Sequence, residues 1–171
     1  SNHSTSITHS PASRTSSKSG ISKNKKNRRK AQNLQILDNY GAQVVYTGYI
    51  SSDTGRPSGK GKMTWQLTGD LYEGRFEHGA RQGRGTMKYS NGDLFEGLFS
   101  DDQREGRGMY TYGDGRKYDG MYVDDVAEDP NGSMSWKDVT TYVVQFARSK
   151  RTGKGTITFP SKVRYQGDFL N

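Results

Sequence analysis

Four glycine-flanked cations have the residue types of a phosphate cradle. They lie in Gly59–Gly61, Gly83–Gly85, Gly106–Gly108 and Gly153–Gly155, each with Lys or Arg at its centre. Phosphate loops lead into a helix that holds the anion, whereas these segments lead into residues that alternate as in strands. We therefore interpret the glycines as sites of close backbone approach. The four cations would share one column and form a weak basic ladder: Lys60, Arg84, Arg107 and Lys154.

Acidic residues and histidines do not form a pattern that is typical of catalysis or metal binding. His3, His9 and His78 have no second histidine at ligand spacing, and the chain has no cysteine. Glu73, Glu96 and Asp119 recur once per repeat, and a residue present in every repeat indicates a structural role rather than an active site. These carboxylates would also neutralise part of the basic ladder. We expect no enzyme activity, no cofactor and no metal.

Composition favours a thin structure over a thick layered core. Only 29% of the 171 residues are hydrophobic, while 22 are glycine. No apolar run is long enough to span a membrane, and the absence of cysteine fits a reducing compartment. We expect an intracellular location, cytoplasmic, cytoskeletal or membrane-associated, with organelle import left open by the acid-poor leader.

The positive charge is concentrated near the N-terminus. Residues 1–40 hold eight Lys or Arg and one acid, whereas the rest of the chain holds 18 basic and 17 acidic residues. Residues 1–30 are predicted to be a disordered basic tail. Its cationic run would be a solvated linker, a nuclear-import patch or a contact for anionic lipid or nucleic acid. The candidate polyanion contacts are Lys23, Lys25, Lys26, Arg28, Arg29 and Lys30.

An aromatic residue recurs at nearly constant spacing along most of the chain. The spacings are 26, 23, 23, 24 and 23 residues, which indicates a repeat architecture. The column contains Tyr46, Tyr72, Phe95, Tyr118, Tyr142 and Tyr165. Residues 46–171 are therefore predicted to form a repeat array, and residues 31–45 a capping or linker segment whose strand or helix character stays open.

The unit from Tyr72 to Asp93 predicts one β-hairpin. Apolar or glycine residues alternate with charged ones in two stretches of the same parity, residues 78–82 would form the turn between them, and Asn91-Gly92 predicts a type I′ turn. Glycines on the buried face would leave gaps into which neighbouring rings lie. Twist or packing is expected to change at Pro130, at Val144 and in the long first loop.

The repeated pattern Y-E-G-x-F, followed by G-x-G-x-x-x-Y and N-G-D, resembles the MORN repeat (membrane occupation and recognition nexus). The resemblance covers about residues 46–171 and is clearest in the units that begin at Tyr72 and Phe95. It implies an all-β, single-layer, elongated array of consecutive antiparallel β-hairpins. It also implies a noncatalytic scaffold or dimerisation role, alone or as an accessory region of a larger lipid kinase or SET-domain methyltransferase.

Partner binding is predicted on the aromatic face, because a single-layer sheet has no second layer to cover it. We expect protein partners within a larger assembly, bound through this face or the sheet edges, with a homodimer as one form and the tail as a second anchor. The alternative is a tether to anionic lipid or nucleic acid through the tail. The alternative for these rings is to pack between repeats, which is the commoner outcome for a periodic aromatic set. The candidate ring contacts are Tyr72, Phe76, Tyr89, Phe95, Phe99, Tyr112, Tyr118 and Tyr122.

Overall fold

The chain forms one open antiparallel β-sheet. A computed structural model describes residues 27–138 and 140–169, and in these residues no helix is long and apolar enough to cross a bilayer. Neighbours in sequence are neighbours in the sheet, except that the two-residue strand β9 pairs with β8 beside β10. The predicted all-β array of consecutive hairpins is confirmed. The strands are β1 (Arg28–Leu37), β2 (Gln43–Ser51), β3 (Pro57–Trp65), β4 (Leu71–Glu77), β5 (Ala80–Lys88), β6 (Leu94–Ser100), β7 (Gln103–Thr111), β8 (Lys117–Val123), β9 (Val126–Ala127), β10 (Asp129–Ser135), β11 (Thr141–Ala147), β12 (Lys150–Thr158) and β13 (Arg164–Phe169).

A row of glycines sets the register of the central strands. Each glycine in this row lies opposite a glycine of the next strand, from β2 to β8. Because residues of one parity share a face, the rings that flank these glycines all lie on the same side, which we call the ring face. The opposite side, which carries mainly charged residues, is the polar face. The row contains Gly48, Gly61, Gly74, Gly85, Gly97, Gly108 and Gly120.

The turn inside each hairpin is shorter than predicted. Between β4 and β5 it is only His78-Gly79, with φ of 51° and 94°, and β5 begins at Ala80 rather than at residue 83. Two consecutive positive φ angles are typical of a type I′ turn, whose twist matches that of the strands. The prediction of a turn over residues 78–82 is therefore wrong. Residues 80–82 were missed because a bulge in β5, opposite Arg75, breaks the simple alternation there.

The predicted type I′ turn at Asn91-Gly92 is also wrong. Only Gly92 has a positive φ, at 90°, and the loop closes with the Tyr89 N–H donating to the Asp93 carbonyl at 2.9 Å. This is a three-residue loop with glycine at the left-handed position. The Asn91 side chain accepts a hydrogen bond from the Asp93 N–H at 3.0 Å, so asparagine serves here as an Asx-turn residue.

The segment before the first repeat is an edge strand. β1 pairs antiparallel with β2, and its outer edge and that of β13 are the two ends of the sheet. The ambiguity between helix and strand is thus resolved in favour of a strand. β1 begins at Arg28, so Arg28, Arg29 and Lys30 belong to the sheet and not to the tail, in which they were placed by composition alone. The rest of the predicted tail, residues 1–26, lies outside the described residues.

Pro130 interrupts the regular pattern, as expected. The equivalent residues in neighbouring hairpins, Gly83, Gly106 and Gly153, have φ between 67° and 75°. Proline cannot adopt this conformation because its ring fixes φ near −65°. The second strand of this hairpin is split into β9 and β10, and the Asp129 carboxylate accepts a hydrogen bond from the Met121 N–H at 2.9 Å beside the break.

Candidate interaction surfaces

Eight rings form a continuous edge-to-face series across the sheet, which we call the ring ladder. Their neighbouring centroids lie 4.6–5.5 Å apart at interplanar angles of 66–89°. This is the favoured arrangement of aromatic pairs. In contact order the ring ladder contains Tyr46, Phe76, Tyr72, Phe99, Phe95, Tyr122, Tyr118 and Phe146. Every member is at most 6% exposed, so the ladder is the core of this single-layer sheet.

The glycine row provides the space in which ladder rings lie. A β-carbon built on Gly74 or Gly85 would come within 3.0 Å of the Tyr72 ring. The same holds for Gly97 and Gly108 against the Phe95 ring. These glycines are therefore packing gaps, as the sequence predicted, because any side chain would displace the ring.

Gly83 has a different reason to be glycine. A β-carbon there would meet only the Arg75 side chain, at 3.9 Å, which is ordinary van der Waals contact. Its φ of 67° lies in the left-handed region that other residues adopt at a cost. The interpretation of Gly83 as a packing gap is wrong, since the bulge in β5 requires its conformation rather than its small size.

Ladder tyrosines satisfy their hydroxyl groups locally. The Tyr46, Tyr72 and Tyr118 hydroxyls each donate to the carbonyl oxygen three residues further on, at 2.7, 3.1 and 3.2 Å. Burial raises the pKa of Tyr46 and of Tyr72 to about 12, because the phenolate would lose its hydration. Phe95 occupies the same column without a hydroxyl, so the ring is required at this position and the hydrogen bond is an addition.

The ladder stops where Val144 replaces a glycine of the row, which confirms a packing change there. Val144 is 1% exposed, and its side chain fills the space that a ring occupies in the other hairpins. Tyr142 instead packs against Trp136, with centroids 4.4 Å apart. Phe146 closes the ladder by contact with Tyr118 at 4.6 Å.

Most of the rings predicted to contact a partner are buried in the ladder. Tyr72, Phe76, Phe95, Phe99, Tyr118 and Tyr122 are 0–4% exposed and touch each other rather than solvent. The expectation that this row stays accessible is wrong, because the edge-to-face series covers its own members without a second layer. Tyr89 and Tyr112 are partly exposed, and of the predicted ring contacts these two remain available to a partner.

A second row of rings lies along the loop-side margin of the ring face, and we call it the ring strip. Its members recur at 24, 23, 24 and 23 residues, one at or just after the end of the second strand of each hairpin. All are at least partly exposed, and Phe159 reaches 39%. The ring strip contains Trp65, Tyr89, Tyr112, Trp136 and Phe159. Such rings combine an apolar body with accessible edges, as in protein interfaces.

Two arginines separate the ring ladder from the ring strip. The Arg81 guanidinium lies 5.2 Å from the Phe99 ring centroid and 5.7 Å from that of Trp65, within cation–π range. In the next hairpin the Arg104 guanidinium lies 5.0 Å from the Tyr122 ring centroid and 5.6 Å from that of Tyr110. The ring face therefore carries guanidinium groups among its aromatic residues, and each of the two is paired with a carboxylate.

Each of these arginines also ties two hairpins together. The Arg81 Nε donates to Asp102 in the turn of the next hairpin at 3.0 Å, and Arg104 donates to Asp125 at 2.9 Å. The Arg104 Nη2 also donates to the Asp125 carbonyl at 2.6 Å. Asp102 and Asp125, each the second residue of an Asp-Asp turn, thus have a structural role.

Sequence reasoning missed Arg81, Arg104, Trp65 and Trp136 as surface residues. The signal was present, because the strip rings recur with the same period as the ladder rings. The period could not show which of two aromatic rows would be covered. That depends on the glycine row and the bulges, which bring the ladder rings into mutual contact.

The cationic run divides at the start of β1. Lys23, Lys25 and Lys26 lie outside the described residues, while Arg28, Arg29 and Lys30 are exposed in β1. The Lys30 ammonium lies 5.8 Å from the centroid of the Tyr49 ring. Polyanion binding by this run stays a prediction.

Neither a metal site nor a histidine cluster is found in the described part of the chain. Within residues 27–138 and 140–169, no group of three or more His, Cys, Asp or Glu residues is arranged to hold a metal ion. His78 is an exposed residue of the β4–β5 turn. Within the described residues, the carboxylates that form ion pairs are aspartates, and each pairs with an arginine.

Comparison with known proteins gives one family match. A family model described as MORN repeat matches residues 55–66, 72–94, 95–115 and 145–164. No curated protein matches. Among solved structures 31 chains match, including the wild-type TCP10 domain of Danio rerio CPAP in complex with a peptide of Danio rerio STIL. That match has 15% identity, covers 78% of this chain and 73% of the other, and has a TM-score of 0.22, at which no conclusion about this chain follows.

Proposed function

Because the chain carries MORN repeats, we propose that it is a non-enzymatic scaffold or adaptor that binds protein partners along the ring strip. MORN repeats are generally protein- or lipid-binding scaffolds, and the family is typically non-enzymatic. The observation that carries the proposal is the contrast between a fully buried ring ladder and a partly exposed ring strip on the same face. The ladder stabilises the sheet, which leaves the strip free to bind.

The ring strip has the chemistry of a protein interface. Tyr89 and Tyr112 are bridged by Tyr110, whose ring centroid lies 5.9 Å from the first and 4.7 Å from the second. The Arg104 guanidinium lies 5.6 Å from the centroid of the Tyr110 ring, and that of Arg81 lies 5.7 Å from the centroid of Trp65, another member of the strip. Tyrosine, tryptophan and arginine are the residues that most often dominate binding energy at protein interfaces.

The two sheet ends offer a second mode of contact. β1 and β13 each leave one row of backbone donors and acceptors without a neighbouring strand among the described residues. Such edges pair with an added strand from a partner or from a second copy. In this proposal edge pairing contributes affinity and the ring strip contributes selectivity.

A photo-crosslinking experiment tests the proposal. Benzoylphenylalanine replaces Tyr112 in the full-length chain, in lysate of cells that express the protein, and cross-linked proteins are identified by mass spectrometry. The proposal expects discrete partners at Tyr112 that are lost when Tyr89 is also changed to Ser. Placement of the same probe at Leu67, which is 96% exposed in a loop, is the control.

The outcome separates the scaffold from a tail-mediated tether. Deletion of residues 1–26 leaves β1 intact, so partner capture at Tyr112 should persist in the deleted chain. If that deletion abolishes every contact, or if Leu67 and Tyr112 capture the same proteins, the ring strip is not the binding surface. The tether to anionic lipid or nucleic acid is then the better account.

A further inference from the structure

The polar face carries a groove across five strands. It extends over β2–β6, has a volume of about 980 Å³, and has a floor of backbone at Gly61, Gly74 and Gly85. At a strand spacing of about 4.8 Å, five strands span about 20 Å, which is the length of about six residues of extended chain. The groove is separate from the ring strip, which lies on the other face.

Positive charge predominates in this groove. Five cations and two acids line it, and all seven side chains are exposed. The cations are Lys60, Lys62, Arg75, Arg84 and Lys88, and the acids are Glu73 and Glu96. Within residues 27–138 and 140–169, none of these five cations forms an ion pair within 4.0 Å. Their charge is therefore available to a ligand.

Two of the cations face each other directly. Lys60 and Arg75 are cross-strand partners in β3 and β4, and like charges at such positions are destabilising. Two hairpins further on, the column residue Arg107 is instead paired with the Asp119 carboxylate at 3.1 Å. The array can therefore place a carboxylate beside a cation of this column, yet Lys60 and Arg75 have no such ion pair within the described residues. An external anion would offset the repulsion between these two cations.

The sign of the charge changes along the array. Residues 27–88 hold ten Lys or Arg and five acids, residues 89–138 hold five Lys or Arg and twelve acids, and residues 140–169 hold six Lys or Arg and one acid. The near-neutral total of the repeats thus hides a division along the sheet. Since neighbouring hairpins lie side by side, this division places a positive surface next to a negative one.

The shape and lining of the groove select one class of ligand. None of the residues that line it is aromatic, so no ring is available to stack on nucleic acid bases. A bilayer surface is flat and does not enter a groove, and Glu73 and Glu96 would repel a continuous polyanion. An extended peptide fits, because its carboxylates can face the cations while its other residues pass the two glutamates and the apolar margin at Leu71 and Leu94.

We propose that the groove over β2–β6 binds an extended acidic segment of a protein, with Lys60, Arg75 and Arg84 as its main carboxylate contacts. Arginine presents paired N–H groups to a carboxylate, and lysine adds a point charge. The ring strip and the groove would then hold two partners, or two segments of one partner, on opposite faces.

Fluorescence anisotropy with a defined peptide tests this inference. The probe is a fluorescein-labelled peptide of about eight residues in which Glu and Ser alternate, long enough to span the groove. The full chain is compared with the variant Lys60→Thr, Arg75→Thr, Arg84→Thr. Because several exposed charge contacts are removed together, we expect affinity to fall at least about tenfold. Equal circular dichroism spectra and unfolding midpoints establish that the variant is folded.

A matched variant controls for net charge. The changes Arg107→Thr, Lys117→Thr and Lys137→Thr remove the same charge from outside the groove and should alter affinity less than about twofold. A single change, Arg84→Glu, gives a second test. It should lower the affinity of the protein for the Glu-Ser peptide and raise its affinity for a Lys-Ser peptide. Tyr89→Ser with Tyr112→Ser should leave peptide affinity unchanged, so failure of the ring-strip proposal is distinguishable from failure of this one.

Three results would overturn the inference. The first is an equal loss of affinity in the groove variant and the matched variant, which would indicate binding to net charge or to the tail. The second is undiminished binding in the groove variant. The third is a groove variant that loses more affinity for phosphatidylserine vesicles or for a thymidine oligonucleotide than for the peptide. That result would assign the surface to lipid or nucleic acid.

Discussion

The ring ladder and the ring strip are built from the same residue types with the same period, yet only one of them is covered. Ladder rings such as Tyr72 lie over glycines and are enclosed by a ring of the same strand, Phe76, and a ring of the next hairpin, Phe99. Strip rings such as Tyr112 lie at the loops, where Tyr110 of the same hairpin packs beside the ring in a tilted arrangement and not edge-to-face. Burial in a single-layer sheet is therefore a local property of each column and not of the whole face.

This difference indicates how a sheet without a second layer remains stable. The ladder replaces that layer, since every ring is covered by the edge of the next and the glycines bring each ring close to the backbone. The strip therefore does not need to contribute as much to the stability of the sheet as the ladder does. A surface that is not required for stability is available for binding.

The largest expected effect is the removal of one ladder ring. Phe95→Ala leaves a cavity between Phe99 and Tyr122, and the free energy of unfolding should fall by about 3–5 kcal/mol. Urea denaturation followed by circular dichroism measures this change. A loss below about 1 kcal/mol would contradict the ladder as the core, because an exposed ring would give such a value.

Glycines that make room for a ring and glycines that adopt a positive φ should differ in how strongly substitution lowers the free energy of unfolding. Gly85→Ala forces a methyl group against the Tyr72 ring and should cost about 1–3 kcal/mol, whereas Gly83→Ala places alanine at a φ of 67° and should cost about 1 kcal/mol. The same urea titration compares the two variants.

Asparagine distinguishes the two causes. It tolerates the left-handed region, so Gly83→Asn should be less destabilising than Gly83→Ala, while Gly85→Asn should be worse than Gly85→Ala. If asparagine has the same effect at both sites, a single explanation for all the glycines would be sufficient.

Fold and repeat boundaries could be predicted from this sequence because they depend on period and parity. Five of the six aromatic starts are the second residue of a strand, as Tyr72 in β4 and Phe95 in β6, and Tyr46 is the fourth residue of β2. Accessible residues could not be predicted in the same way. Whether Phe99 or Tyr112 meets solvent depends on the bulges and on ring orientation, and neither is encoded in the spacing.

Turn chemistry was predicted at the wrong loops for a physical reason. Asn-Gly favours a type I′ turn in a two-residue loop, but the spacing around Asn91 leaves a three-residue loop in which only Gly92 takes positive φ. The type I′ turns occur instead at pairs such as Asp101-Asp102, with φ of 45° and 71°. Aspartate accepts this conformation, and the ion pair of Asp102 with Arg81 stabilises it.

Alkaline pH should destabilise the folded protein through its ladder tyrosines. The pKa of Tyr46 and of Tyr72 is raised to about 12 by burial, so the folded state keeps protons that the unfolded state loses near pH 10. This stability is present below pH 10 and is lost as pH rises from 10 to about 12, by about 1.4 kcal/mol per pH unit for each tyrosine.

Tyr72→Phe isolates this pH effect. The variant should lose about 1 kcal/mol near neutral pH, because the hydrogen bond to the Arg75 carbonyl is removed, and should show a shallower decline above pH 10. Urea unfolding at a series of pH values provides the measurement. An unchanged slope would show that this hydroxyl titrates as it does in water.

The smallest stability effect is expected in the ring strip. Tyr112→Ser removes a partly exposed ring that packs on Tyr110 and lies under Arg116, and the free energy of unfolding should change by about 1 kcal/mol or less. Partner capture should nevertheless be lost. A variant that is strongly destabilised yet still binds its partners would invert the assigned roles.

Hydroxyl-radical footprinting of the full chain tests the difference between the two rows most directly. Mass spectrometry would report oxidation at Trp65, Tyr89, Tyr112 and Trp136, with little at Tyr72, Phe95, Phe99 and Tyr118, which are at most 3% exposed. Addition of a captured partner should protect the strip and leave the ladder unchanged. Equal oxidation of both rows in the free protein would contradict the account.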